Sequence, residues 1–263
     1  MEEIEARDII TGAEEEETRR FSGMEWFETA KMKNIHIIGC GGVGSWVAVN
    51  MARFYPRSIS LYDFDTVDDT NMAGQFFFSN QVGIPKASAL SDNIRDFTAG
   101  LTTVNTCISK FDVGDINYDN DVYILALDDQ QEKINIFNKF TWWHRDKGTW
   151  LIDCRLSVDR LQIISMRIRQ DHDRYNTCVN VYRDRFLFAP GEAESTSCTM
   201  KQTTFMANLI GGLVANVYTS ICMQECSEMP VPVPFFIEYY FPNYQLRIFN
   251  TPEDYDENLR KNS

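Results

Sequence analysis

The chain has few histidines and no closely paired cysteines, which leaves little material for a zinc centre. Its 263 residues include 3 histidines and 7 cysteines, and no two cysteines have CxxC spacing. Cys222 and Cys226 lie four positions apart, but no further zinc ligands stand beside them. We therefore expect no zinc and, with an odd number of cysteines, no disulfide framework.

Positive charge and long apolar runs are also scarce. The chain has 25 Lys and Arg against 38 Asp and Glu, a formal net charge of -13. Nucleic-acid binding needs a basic surface, so none is expected. No uninterrupted apolar run approaches the roughly 18 residues that cross a bilayer, so no membrane partner is expected either. The first residues lack the basic and apolar regions of a signal peptide, which predicts a cytoplasmic protein.

What the chain does contain is an alternation of short apolar segments and helical patterns. After an acidic arm over residues 1–18, a single domain is expected over 19–263. Its first part predicts helices at 20–31, 45–54, 86–97 and 129–143, and strands at 34–38, 58–62, 102–108, 121–126 and 149–153. This alternation predicts an α/β fold with a doubly wound, mainly parallel sheet.

The pattern changes after about residue 155. We expect a strand at 161–169, a polar loop at about 186–202, an apolar helix at 203–222, and a hairpin at about 234–250 around Pro242 and Asn243. The sheet should therefore carry a C-terminal antiparallel extension.

A glycine-rich motif stands between the first expected strand and the next helix. Glycines at such a turn let the backbone approach a phosphate, and the helix N-terminus supplies free N–H groups. Asp63 follows 24 positions after the first glycine, at the end of the next strand, where an acid can bind a ribose hydroxyl. The pattern favours nucleotide binding, and by itself it would suggest NAD. The GxGxxG glycines are Gly39, Gly41, Gly42 and Gly44.

The residues after Asp63 narrow the choice of nucleotide. The order G-x-G-G-x-G-S, D-x-D-x-V, an asparagine before a glutamine, and G-x-x-K resembles the ThiF/MoeB and ubiquitin-activating enzyme family, over roughly residues 20–225. The resemblance implies a Rossmann-like fold. The matching positions are Gly39–Ser45, Asp63–Val67, Asn71, Gln75, Gly83 and Lys86.

The resemblance also implies an activity. Members use ATP and Mg²⁺ to adenylate the C-terminal carboxylate of a ubiquitin-like or sulfur-carrier protein, work as homodimers, and in some cases pass the product to a conjugating enzyme. Asp63 and Asp65 would belong to the nucleotide site, with Asp63 on the ribose. Asn71 and Lys86 would reach the phosphates, and Lys86 would stabilise the charge that develops on the leaving pyrophosphate.

A second acidic segment supplies the metal ligand that the resemblance implies. Asp128 aligns with the family's magnesium aspartate, while Asp129 and Lys133 replace its asparagine and arginine. An aspartate at a strand end suits Mg²⁺, which prefers oxygen ligands. Alternatively, Asp128 or Asp129 caps the helix that begins there.

Cys198 is the candidate nucleophile for a second step. The run Ser197–Lys201 resembles the C-T-x-[RK] signature of the thioester-forming cysteine in ubiquitin-activating enzymes. A nearby lysine and a helix N-terminus favour a thiolate. The alternative is an unreactive loop cysteine. Cys154 and the three histidines are expected to be structural.

Two departures from the family pattern keep other functions open. Positions where members carry phosphate-binding arginines hold Gly23 or Met24, and Gly74. Candidate replacements are Arg53, Arg95 and Arg155. A catalytically weakened scaffold subunit and an NAD-dependent oxidoreductase are therefore alternatives to the activating enzyme. A related branch would adenylate a small molecule, a peptide or a tRNA base.

Overall fold

A computed structural model describes residues 21, 23–112, 121–143, 149–168, 173–187, 204–226 and 231–262. Seven helices lie within these ranges: α1 (Glu25–Lys31), α2 (Gly42–Ala52), α3 (Lys86–Phe97), α4 (Gln130–Trp143), α5 (Asp173–Phe186), α6 (Thr204–Cys226) and α7 (Pro252–Asn262). The same ranges contain eight strands: β1 (Asn34–Ile38), β2 (Ser58–Tyr62), β3 (Thr103–Cys107), β4 (Asp121–Leu125), β5 (Thr149–Leu156), β6 (Arg160–Ile168), β7 (Phe236–Tyr240) and β8 (Gln245–Phe249).

The strands of the described chain form one sheet in the order β3-β2-β1-β4-β5-β6-β7-β8. Strands β1 to β5 are paired in parallel, while β6, β7 and β8 are antiparallel to their neighbours. The predicted doubly wound α/β sheet with its C-terminal antiparallel extension is confirmed.

The strand order reverses direction at β1. The chain runs from β1 outward to β2 and β3, then returns to place β4 on the other side of β1. In open α/β sheets a crevice forms at such a switch point, outside the carboxyl ends of the strands. This position decides where a ligand can bind.

Each face of the sheet has its own apolar core. One face is covered by α1, α2, α3 and α6, with Val47, Leu90 and Ile210 among the fully buried residues. The other is covered by α4 and α5, with α7 against its edge, and buries Phe137 and Tyr182. Strands buried on both faces read as continuous apolar runs, which explains the sequence of β1 and β4.

Helix α6 is the longest element of the first core. Its segment Phe205–Cys226 is long and apolar enough to cross a membrane by length and composition. No segment of this kind was expected from the sequence. However, 56% of an 18-residue window of that segment is buried inside the protein, and α6 packs against α1, α2, β5 and β6. Interior packing accounts for its apolar character.

Two helices were missing from the sequence-based prediction. Helix α5 is mostly polar and buries Cys178, Tyr182 and Phe186, which recur every fourth residue. Helix α7 begins at Pro252 with acidic residues in its first turn and basic residues in its last, which are ordinary boundary signals. The prediction also ended β5 too early, at residue 153. This strand continues to Leu156 because it forms a long antiparallel pair with β6.

Candidate functional site

A cavity of about 920 Å³ opens at the carboxyl ends of β1, β2, β4 and β5. Its volume lies within the range typical of ligand pockets. All but one of the predicted nucleotide-binding and metal-binding residues line it: Gly39, Gly41, Gly42, Asp63, Asp65, Asn71, Lys86 and Asp128. The remaining motif glycine, Gly44, lies behind this surface and shapes the loop.

Two positions of the glycine-rich turn require glycine for steric reasons. Gly39 has a φ of +93°, a conformation that side chains rarely adopt. A Cβ on Gly44 would stand 1.8 Å from the carbonyl oxygen of Gly39. Helix α2 begins at Gly42, so its free N–H groups point into the cavity. The turn can therefore receive an anion against bare backbone.

Asp63 ties this turn to β2. One of its carboxylate oxygens accepts a hydrogen bond from Cys40 N at 2.7 Å, and the other accepts one from Asp65 N at 2.8 Å. Each carboxylate oxygen has a second lone pair, so the half-buried side chain can still accept a ribose hydroxyl. Burial raises the pKa of the Cys40 thiol well above its usual range, so Cys40 stays neutral beside Asp63.

Lys86 brings a cation to the same cavity. It is the first residue of α3, and its side chain is only 10% exposed, with Nζ 3.0 Å from Asp65 Oδ2. A lysine that merely faced solvent would be much more exposed. Asn71 lines the cavity beside it and accepts a hydrogen bond from Asp68 N through Oδ1.

The segment around Gly74 is held by α2. Trp46 Nε1 donates to the carbonyl of Gly74 at 3.1 Å, and Ser45 Oγ accepts from Phe76 N at 3.0 Å. Gly74 lines the cavity at the position where the family pattern has an arginine. The backbone there faces the cavity without supplying a charge.

Asp128 and Asp129 have different surroundings. Asp129 Oδ1 accepts a hydrogen bond from Glu132 N at 3.1 Å and so caps α4. Both residues are exposed and line the cavity, but no such capping bond is made by Asp128. The capping role therefore falls to Asp129, and Asp128 faces the space where a ligand would lie.

A buried ionic group closes the far side of the cavity. Lys133 Nζ lies 2.6 Å from Asp153 Oδ1, while Arg155 Nε lies 2.7 Å and Tyr182 Oη 3.0 Å from Asp153 Oδ2. Burial alone would raise the pKa of Asp153, but Lys133 and Arg155 lower it below its ordinary value. The pairing with Asp153 was not predicted. The position of Asp153 at a parallel strand's carboxyl end was the available signal.

The three candidate replacement arginines differ in their position relative to the cavity. Arg155 lines the cavity. Arg53 instead stacks on the ring of Phe97 at 3.5 Å. Arg95 binds Asp92 at 2.9 Å on the surface of α3. Only Arg155 of these three is placed to meet a ligand in the cavity.

The remaining cysteines and histidines are structural in the described chain or lie outside the described ranges, and of them Cys154 also lines the cavity. Cys198 lies outside the described residues, as does the predicted polar loop at about 186–202 except for its first two positions, of which Phe186 ends α5. Cys154 is buried, as predicted, and burial raises the pKa of its thiol. His36 is buried and stacks on Tyr123 at 4.3 Å, consistent with a structural role. Burial raises the pKa of Cys222 to about 12. In the described part of the chain no three His, Cys, Asp or Glu side chains cluster as metal ligands.

Curated proteins similar to this chain include activating enzymes. "Ubiquitin-like modifier-activating enzyme 5" of Arabidopsis thaliana is 33% identical over 95 residues, which are 33% of this chain and 22% of the relative. "Adenylyltransferase and sulfurtransferase MOCS3" of Caenorhabditis briggsae is 26% identical over 110 residues, 38% of this chain and 27% of the relative. These alignments span less than a third of the curated relatives' length.

Solved structures share the fold over most of the chain. A selenomethionine structure of PaaA has a TM-score of 0.64 and 18% identity, with 94% of this chain and 73% of that chain covered. A structure of Escherichia coli MccB with ATP has a TM-score of 0.61 and 17% identity, with 86% and 66% covered.

The family assignment rests on a match that spans nearly the whole sequence. The family model matches residues 16–260, which include every described element except the last two residues of α7. The chain belongs to the ThiF family.

Proposed function

We propose that this chain uses Mg-ATP to adenylate the C-terminal carboxylate of a ubiquitin-like or sulfur-carrier-like protein, acting as a homodimer. The observation that carries the proposal is the convergence of the glycine turn, Asp63, Asn71, Lys86 and Asp128 on one cavity. Similarity to activating enzymes and to MOCS3 supports the adenylation reaction. The structures of MccB with ATP and with MccA support a nucleotide and a second substrate in this fold.

The residues divide the work of binding ATP. Asp63 accepts hydrogen bonds from the ribose hydroxyls at the end of β2. The glycine turn and the start of α2 donate backbone N–H groups to the phosphates, and the helix dipole favours their charge. Lys86 and Asn71 both line the cavity, where Lys86 offsets the negative charge of the pyrophosphate portion.

The reaction is a displacement at phosphorus. A carboxylate oxygen of the substrate forms a bond to the α-phosphorus of ATP, and the bond from that phosphorus to the bridging oxygen of the β-phosphate breaks. The electron pair leaves with pyrophosphate. The product is a mixed anhydride of the substrate carboxylate with AMP, which is reactive because AMP is a good leaving group.

The donor set fits magnesium. Mg²⁺ in nucleotide sites commonly takes one or two carboxylates, with water and phosphate oxygens completing its shell. Asp128 supplies one such carboxylate at the end of β4. A bound ion there would neutralise phosphate charge.

A thioester on Cys198 is the proposed second step. The thiolate would attack the acyl carbon of the anhydride, with AMP as the leaving group. The Cys198→Ala variant should keep adenylation and lose any covalent adduct that a thiol reductant cleaves. Non-reducing electrophoresis after incubation with Mg-ATP and a carboxylate partner would show this. An adduct that persists in the variant would exclude Cys198.

Calorimetry with the Lys86→Ala variant tests the proposal. Mg-ATP should bind the wild type and bind the variant at least about tenfold more weakly, because a charge-assisted contact to phosphate is lost. Lys31→Ala, at a half-buried position of α1 that does not line the cavity, is the control and should bind normally. Binding of NAD in place of ATP would indicate an oxidoreductase. Binding of neither would indicate the scaffold role, which Gly74 in place of an arginine favours.

A further inference from the structure

Two cationic side chains, Lys133 on α4 and Arg155 on β5, lie beside a single buried carboxylate. Lys133 and Arg155 share one buried carboxylate, that of Asp153, at 2.6 and 2.7 Å. These three side chains together hold one net positive charge, and we call them the β5 cation cluster. Both cations also line the cavity. One carboxylate offsets only one of the two cations, so the cluster as a whole presents a net positive charge to an anion in the cavity.

Neighbouring acids do not cancel this charge. Burial and the adjacent Asp153 carboxylate raise the pKa of both Tyr182 and Cys154, so each stays protonated and neutral near pH 7. Glu132, at the cavity wall, is bound to Lys110 at 3.1 Å. Tyr182 and Cys154 are thus neutral and Glu132 is already paired, so none of these three groups cancels the charge of the cluster.

The guanidinium of Arg155 is held in a fixed orientation. Its Nε binds Asp153, its NH2 group donates to the carbonyl of Phe186 at 2.8 Å, and its plane lies over the Phe186 ring at 5.8 Å. Phe186 ends α5, where the negative end of the helix dipole favours a cation. An arginine that is already ordered loses little conformational entropy on binding a planar anion.

The strand order places this cluster away from the pyrophosphate. Asn71 and Lys86 follow β2 in the chain, and the glycine turn follows β1. Strand β5 lies on the other side of β1, two strands away, which is about 10 Å at the usual spacing. In phosphoryl transfer the attacking and leaving oxygens lie roughly in line. With pyrophosphate on the β2 side, the attacking oxygen approaches from the side of β4 and β5.

We propose that Arg155 is a specificity-determining residue that binds the carboxylate of the acyl substrate and directs it toward the α-phosphate. This rests on the proposed adenylation. Two anions, the carboxylate and the triphosphate, must meet in this cavity, and a fixed guanidinium offsets their repulsion. Lys133 is a positioning residue, because it shares the Asp153 carboxylate with Arg155 and so leaves the cluster with one net positive charge.

The test compares binding of a free carboxylate with binding of its amide. Fluorescein-labelled hexapeptides of randomised sequence, as free acids and as C-terminal amides, are titrated with full-length protein in Mg²⁺ and a non-hydrolysable ATP analogue. Fluorescence anisotropy reports binding. The wild type should prefer the acids by about tenfold, and Arg155→Gln should show less than about a twofold preference. Arg247→Gln, on the edge strand β8, should keep the full preference.

Mg-ATP affinity, measured by calorimetry on the same variants, separates the outcomes. We expect Arg155→Gln to bind Mg-ATP as the wild type does. Loss of Mg-ATP binding in a folded Arg155→Gln variant would make Arg155 a phosphate ligand and overturn the inference. Equal binding of acids and amides by the wild type in the presence of bound nucleotide would also overturn it, while leaving the nucleotide site intact. Absence of Mg-ATP binding to the wild type would instead refute the proposed function.

The conservative variant Arg155→Lys controls for misfolding of Arg155→Gln. Arg155→Lys keeps the charge beside Asp153 but loses the planar pair of donors. It should reduce the preference for acids by about threefold, with unchanged Mg-ATP affinity. A full preference in Arg155→Lys together with Arg155→Gln would contradict the inference.

Discussion

Asp63 is half-buried at the end of β2, and both of its oxygens already accept backbone hydrogen bonds. The acid that the sequence assigns to a ribose is therefore also part of the glycine turn. Removing its charge would loosen the turn as well as weaken a ribose contact. A variant of Asp63 cannot separate these two effects, whereas Asp128 and Asp129 can be separated because their roles are distinct.

The Asp128→Asn variant should lose the benefit of magnesium. Asparagine keeps the size of aspartate but is a poorer ligand for Mg²⁺. We expect wild-type ATP affinity to fall when EDTA replaces Mg²⁺. The ratio of the ATP affinities in Mg²⁺ and in EDTA should be about tenfold smaller in the variant. Calorimetry in both buffers measures this.

Asp129→Asn is the matched control for that experiment. Asparagine caps helices about as well as aspartate, so α4 and the magnesium effect should both be retained. If Asp129→Asn lost the effect and Asp128→Asn kept it, the assignments of the two residues would be exchanged.

At the scale of elements, the approach of α6 to α2 depends on Gly211. A Cβ at this position would stand 3.1 Å from the backbone of Trp46 and 2.8 Å from Asn50 Nδ2. The neighbouring Gly212 has nothing within 4 Å of the same construction. Since Trp46 also binds Gly74, this helix contact reaches the cavity wall.

Gly211→Ala should therefore destabilise the protein by about 1–3 kcal/mol through overpacking. Gly212→Ala should be neutral or stabilising by up to about 1 kcal/mol, because alanine is the better helix former. Urea denaturation of the two variants gives the comparison. Equal free energies of unfolding would show that the two helices separate at little cost.

The elements that the sequence predicted well are those with local signals. The bounds of β1, β2 and α3 were predicted to the residue. The two strands are short apolar runs, and α3 begins at Lys86 of the G-x-x-K motif. Their carboxyl-edge residues, Asp63 above all, were then expected near the glycine turn. The pairing of Lys133 with Asp153 was not predictable in this way, since α4 and β5 come together only in the folded sheet.

At the scale of the whole molecule, stability in acid reflects two opposing effects. The chain carries a formal net charge of -13, so mild acid relieves repulsion among its carboxylates. The folded state also holds the pKa of Asp153 below the ordinary value, which is about 3.9. A carboxyl group with a lowered pKa contributes stability above its unfolded pKa and loses it as pH falls through the folded one.

We therefore expect the free energy of unfolding to change little between about pH 7 and pH 5 and to drop below about pH 4. Urea denaturation at a series of pH values, at constant ionic strength, measures this. Unchanged stability down to about pH 2 would mean that the β5 cation cluster does not hold Asp153 ionised in the folded state.

The contact of α6 with α2 also bears on the order in which the protein is made. Domains fold as synthesis proceeds from the N-terminus, and contacts between distant segments form late. Gly211 can meet Trp46 only after the whole segment between them, which includes β2 to β6, has been synthesised. Although the glycine turn, Asp63 and Lys86 are translated early, their segment gains its packing partner near the end. A nascent chain that ends before α6 should thus carry the nucleotide motif without a finished nucleotide site.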